Sequence, residues 1–172
     1  MGLVFSVGNP TDVLTPEYAE QVRSRLTKAL GPTVVLDSRE EPYSSDECGW
    51  GGWVRLQEAA AETIETDRLQ HLLSMEAWNG CYVPAAIEPA EFAIEGNSTP
   101  LKVGSLPALV AELESVGVAL GLPINDDGLR KLAAEHADDE PDDGEMDYQT
   151  YAELLQAALV AQRRHQVLWV IK

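Results

Sequence analysis

The sequence predicts one α+β domain: a mixed β-sheet with the N- and C-terminal strands near its centre and helices packed on it. Three observations predict it. The chain closes on a continuous apolar run, Val167-Leu168-Trp169-Val170-Ile171, rich in β-branched residues. Such a run is a strand covered on both faces. It follows directly on an amphipathic helical stretch, so the chain ends by inserting a strand into its own sheet. The third observation is the order of patterns, β-α-β-α-α-β-hairpin-α-α-α-β, which does not alternate as a doubly wound fold does. The length, 172 residues, suits a single domain over residues 1–172.

Leu3 to Val7 is the first strand, stopped by Gly8-Asn9-Pro10. Thr15-Pro16-Glu17 opens a helix: Thr15 caps it, Pro16 takes the first helical position, and Glu17 meets the positive end of the dipole. Tyr18, Val22, Leu26 and Leu30 recur at helical spacing until Gly31-Pro32 ends the element. Val34-Val35-Leu36 reads as a short second strand. Residues 38–52 form a long loop carrying Gly49-Trp50-Gly51-Gly52. Long loops without structure of their own are often functional.

Trp53, Leu56, Ala60 and Ile64 predict a helix over about 52–64, and Thr66-Asp67 caps another with Leu69, Leu72 and Leu73. Asn79-Gly80 is a turn signal, and Cys81-Tyr82-Val83 starts a strand. Pro84 and Pro89 cannot donate ladder hydrogen bonds, which predicts an edge or broken strand there. Phe92 and Ile94, then Leu101 and Val103, alternate about the turn 96–99, as a hairpin does. Ser105 caps the clearest helix, lined by Leu106, Leu109, Val110, Leu113, Val116 and Leu120 and ended by Gly121 and Pro123. A short helix over roughly 126–136 starts at Asn125. The last helix carries Tyr151, Leu154, Leu155, Ala158 and Leu159, with Arg163, Arg164 and His165 at its negative end.

Charge dominates the surface. There are 29 acids against 12 Lys and Arg, a formal net charge of −17. The acidic loop at about 135–147 holds eight acids, Glu135 through Asp147, and no Lys or Arg. This balance argues against nucleic acid or an anionic membrane as a partner, because phosphate binding needs clustered bases. It favours a basic protein partner, steered electrostatically. No apolar run approaches the roughly 20 residues of a membrane span, and the N-terminus lacks the basic start and apolar core of a secretory signal. The expectation is a cytoplasmic protein, bacterial in type, with no membrane association.

Four groups of residues are candidate sites. Trp50, Trp53, Trp78 and Tyr82 cluster near loops and form a candidate binding face, since such aromatics anchor interfaces. Asp138, Asp139, Asp142 and Asp143 are the candidate docking acids. Read from Asp139, the loop puts Asp143 and Gly144 at the fifth and sixth positions of a calcium loop, but Pro141 and Thr150 break the third and twelfth, so no metal is expected. His71, Glu76 and Cys81 are weak catalytic candidates, a thiol, an imidazole and a carboxylate in the order a nucleophile would use. Cys48 and Cys81 match neither a disulfide framework nor a zinc pattern, Gly49, Gly51 and Gly52 lack the lysine of a phosphate loop, and no cofactor is expected.

The leading functional reading is a non-enzymatic acidic protein-binding or regulatory module, immunity- or antitoxin-like in type, docking a basic or polar partner. The rival is a small-molecule-binding domain or thiol-dependent enzyme with a pocket near Trp78 to Cys81. No motif specifies a reaction or an oligomeric state.

Overall fold

A computed structural model describes residues 2–171, without the side chain of Ile171. The elements run β1 (Val4–Val7), α1 (Pro10–Val13), α2 (Pro16–Leu30), β2 (Tyr43–Ser44), α3 (Gly52–Thr63), α4 (Gln70–Leu73), β3 (Gly80–Val83), β4 (Ala90–Phe92), β5 (Leu101–Ser105), α5 (Leu106–Leu120), α6 (Asp126–Glu135), α7 (Tyr148–Arg164) and β6 (Leu168–Ile171). The six strands form one mixed sheet in the order β2-β1-β6-β3-β5-β4. It is a single mixed α+β domain.

The closing strand lies between β1 and β3, antiparallel to both, with Trp169 opposite Ser6 on one side and Cys81 on the other. Trp169 is buried, and its indole Nε1 donates to the Gly8 carbonyl at 3.0 Å. A central apolar strand therefore carries one polar handle, and that handle is satisfied.

Side-chain alternation splits the core in two. Phe5, Val7, Tyr82, Leu168 and Val170 face α3, α5 and α7. Cys81, Val83, Val103, Val167 and Trp169 face Val22 and Leu26 of α2 and the segment holding Val34 and Leu36. Helix α7 is the principal support of the first face, with ten of its 17 residues buried.

The caps follow local chemistry. Ser105 Oγ accepts from Ala108 N at 3.3 Å, and Asn125 Oδ1 from Gly128 N at 2.8 Å. Gly121 ends α5 in the left-handed conformation, φ 68°. Thr15 precedes α2 but makes no side-chain capping bond.

Four expectations are corrected. Val34-Val35-Leu36 is not a strand but a single parallel bridge, Val35 to Gln166. The second strand is Tyr43–Ser44, inside the segment read as a loop. The stretch from Cys81 is not an edge: β3 pairs with β6 and with β5, because Pro84 falls just past its last residue and leaves the ladder intact. The helix expected after Thr66 is a 3-10 turn over Thr66–Arg68 followed by the short α4.

Candidate functional site

All but four of the 29 acids are exposed; the exceptions are Glu112, Glu114, Asp147 and Glu153. The rim they form is thickest where two segments meet over the first turns of α7. One is the β2–α3 connection, which brings Asp46 and Glu47. The other is the acidic connection between α6 and α7.

Several contacts hold this rim in place. Asp147 caps α7, its Oδ1 accepting from Thr150 N at 2.8 Å. Gln149 Nε2 donates to the Glu47 carbonyl at 3.4 Å. Leu3 and Cys48 exchange backbone hydrogen bonds at 3.1 and 2.9 Å, pinning the β2–α3 connection to the start of the sheet. Arg55 of α3 reaches Asp143 at 3.7 Å. Glu47, Gly49, Asp138, Asp139 and Glu140 consequently line one surface groove. The expected docking acids Asp138, Asp139, Asp142 and Asp143 are all exposed on this rim. Among the described residues, no group of three or more His, Cys, Asp or Glu is placed to hold a metal ion.

Beneath the rim the carboxylates behave differently. Burial pushes the Glu153 carboxyl up to about 7, with the field of Asp46 adding to it and the Asp46 backbone N–H opposing it. Tyr43, beside it, is raised to about 12 by burial and then by Glu153, Asp46 and Asp126.

The aromatic candidates separate into two kinds. Trp53 is buried, its Nε1 donating to the Met75 carbonyl at 3.2 Å. Tyr82 is fully buried, its hydroxyl donating to the His71 carbonyl at 2.9 Å. Both belong to the core and reach no surface. Trp50 and Trp78 are 69% and 38% exposed, and their rings stack with centroids 4.9 Å apart.

One joint explains both outcomes. Gln57 Nε2 donates to the carbonyls of Leu72 and Met75 at 2.8 and 3.0 Å, and Trp53 donates to the same Met75 oxygen. These bonds fix α3 against the segment 72–75. Trp50, just before α3, is thereby set against Trp78, three residues after Met75. Trp78 takes the left-handed conformation, φ 66°, where a bulky residue is an outlier. The turn signal at Asn79-Gly80 is thus displaced by one residue. Asn79 instead donates from Nδ2 to the Pro100 carbonyl at 2.8 Å, and Gly80 is required because a Cβ there would strike the Met75 sulfur.

The thiol, imidazole and carboxylate do not converge. Cys81 points to the α2 face of the sheet, fully buried, and burial drives its thiol far above the ordinary range. His71 lies on the opposite face, where its Nδ1 accepts from Ser105 N at 2.9 Å. That bond and its burial favour the neutral imidazole, and its pKa is lowered. Glu76 is on the surface, paired with Lys102 at 3.2 Å. Cys48 is also buried, its thiol raised to about 12 chiefly by desolvation. Thiols held protonated in this way are poor nucleophiles. No helix among the described residues is long and apolar enough to cross a membrane.

Residues 24–169 match the model of a protein family described as "Putative DNA-mimic protein". The chain belongs to this family. No curated protein and no solved structure matches it. The family overturns two expectations drawn from the sequence. The expected immunity- or antitoxin-like module docking a basic or polar partner is overturned by membership of a family described as DNA mimics. The expectation of a basic protein partner with no connection to nucleic acid is overturned likewise, since the family description points to partners that bind DNA. The misreading has a physical origin. Scarcity of clustered bases correctly argues against holding phosphate, but the same excess of acid is what a substitute for phosphate requires.

Proposed function

We propose that this protein acts as a DNA mimic, occupying the nucleic-acid site of a DNA-binding protein and excluding DNA from it. The observation that carries the reading is the family match over residues 24–169 on a chain whose acids lie almost wholly on its surface.

The charge density supports it. A compact chain of this length measures about 40 Å across. Duplex DNA of that length carries about 24 phosphates, at one per roughly 1.7 Å of axis. The chain presents a net charge of −17, the same order over the same span. Spacing supports it too. Glu58 and Glu62 are exposed one turn apart on α3, a rise of about 6 Å, and Glu65 follows just past the helix end. A carboxylate accepts the bidentate guanidinium fork as a phosphate does. Asp138, Asp139, Asp142 and Asp143 serve in this reading as phosphate substitutes on the rim. Action would be in the compartment that holds the DNA, the cytoplasm of a bacterial cell.

The test is competitive elution. The purified protein is immobilised, exposed to an extract of its native cell, washed, and eluted with short duplex DNA. Recovery of DNA-binding proteins that the duplex displaces, with affinity falling steeply as salt rises, is the expected result. Partners that the duplex leaves in place would overturn the reading.

A further inference from the structure

DNA offers its binding proteins more than charge. It presents phosphates to arginine and lysine alike, and base edges in its grooves that arginine reads most often through its planar guanidinium fork. A surface of carboxylates alone reproduces only the first of these. Two exposed aromatic features lie beside the acidic rim, Tyr148 against His136 and the Trp50–Trp78 pair, and the pair presents the larger ring surface to solvent.

Its surroundings combine the two chemistries. Gly49, the residue before Trp50, shares a groove with Glu47, Asp138, Asp139 and Glu140. Arg55, within the first turn of α3, is engaged by Asp143. Glu76, two residues before Trp78, is exposed. The pair is therefore an exposed apolar platform next to the acidic groove of Glu47, Asp138, Asp139 and Glu140, while Asp143 and Glu76 are already paired with Arg55 and Lys102. It is also held by backbone strain at Trp78, which the docking of α3 on Met75 maintains. Outliers of that kind cluster at functional sites.

We propose that the Trp50–Trp78 pair seats an arginine side chain of the DNA-binding partner, the indoles holding its guanidinium by cation–π contact and the carboxylates of the neighbouring groove standing where DNA would offer phosphate. Arginine fits this seat better than lysine. Its guanidinium is planar and weakly hydrated, so it stacks on an indole while its N–H groups remain free for carboxylates. The ammonium of lysine is compact and strongly hydrated, and gains chiefly from the charges. The inference rests on the DNA-mimic reading and names the kind of contact by which the same surface would select its partner.

The test uses an oligoarginine and an oligolysine of equal length as probes of the intact protein, followed by tryptophan fluorescence over a salt series. Trp53 and Trp169 are buried, so the solvent-exposed emission reports on Trp50 and Trp78. The expected result is a preference for oligoarginine of about fivefold to tenfold, persisting at high salt where exposed ion pairs are screened. The double variant Trp50→Ala/Trp78→Ala should lose that preference, keep its weaker oligolysine binding, and unfold thermally as the parent does by circular dichroism. Equal affinity of the parent for the two probes, or a preference that survives in the double variant, would overturn the seat. Mimicry itself is judged by whether duplex DNA displaces the captured partners, so the two ideas fail separately.

Discussion

The interior and the rim of this molecule use the same two residue types to opposite ends. Inside, Trp53 and Trp169 fill the two faces of the sheet, each with its indole N–H donated to a backbone carbonyl. On the rim, Trp50 and Trp78 stack on each other and face solvent. Carboxylates divide likewise. Glu112 accepts from His71 N and Leu72 N at 3.0 and 2.8 Å, closing the open end of α4, and Asp147 caps α7. The rim acids make few such bonds and are numerous. Residue type thus does not separate scaffold from surface; the number of backbone groups a side chain satisfies does. Removing an interior tryptophan, or a carboxylate that closes a helix end, should cost folding, and removing a rim one should cost binding.

The largest effect on stability is expected at the centre of the sheet. Trp169→Ala should destabilise by about 3–5 kcal/mol, the cost of a large core truncation, measured by denaturant unfolding. Trp50→Ala in parallel should stay within about 0.5 kcal/mol of the parent. Comparable losses at the two sites would erase the distinction.

Next is Glu112→Ala, which leaves two backbone N–H groups of α4 without their acceptor. A loss of about 2–3 kcal/mol is expected. Glu112→Gln retains one acceptor oxygen and should lose less.

Glu153 sharpens the comparison through pH. Its folded pKa, about 7, lies above the ordinary carboxylate value. The folded state therefore binds more protons than the unfolded chain between about pH 4.5 and 7. Its contribution to stability falls as pH rises through that window and levels off above it. Glu153→Gln keeps an acceptor for the Asp46 N–H without the charge. It should stabilise the fold at pH 8 by on the order of 2 kcal/mol and change little at pH 4. Thermal unfolding at the two pH values checks this; a gain at pH 4 equal to that at pH 8 would refute the electrostatic cause.

The smallest effect on folding belongs to the rim. Asp138→Asn, Asp139→Asn, Asp142→Asn and Asp143→Asn together should leave unfolding within about 0.5 kcal/mol. The same variant should reduce the salt dependence of binding to the DNA-binding proteins that duplex DNA elutes, in the competitive elution described above. An unchanged salt slope would remove these four residues from the docking surface.

Much of the fold was legible in the chain because its signals are local. The closing apolar run marks an interior strand wherever it is placed, and Ser105, Asn125 and Gly121 bracket their helices through bonds to residues within a turn or so. The helix expected after Thr66 was misread locally, as a 3-10 turn and the short α4, but the other misreadings are non-local. Val34–Leu36 has the composition of a strand, yet it packs beside α2 without a ladder, while Tyr43–Ser44 pairs with β1 because the chain returns there. Proline near Cys81 suggested an edge, but edge or centre is decided by which strands arrive on either side. The acidic rim was visible as composition. Its functional sense was not, because charge excess alone distinguishes neither DNA nor protein as the thing replaced.

Sequence alone determined the sign and magnitude of the surface charge, the interior character of the last strand and the placing of most helices, since these depend on residues close together along the chain. Only the tertiary structure decided which tryptophans face solvent, that Cys81 and His71 lie on opposite faces of one sheet, and that Glu153 sits under the acids of other elements. Each of those outcomes depends on which distant segments are brought together, and no single segment carries that information.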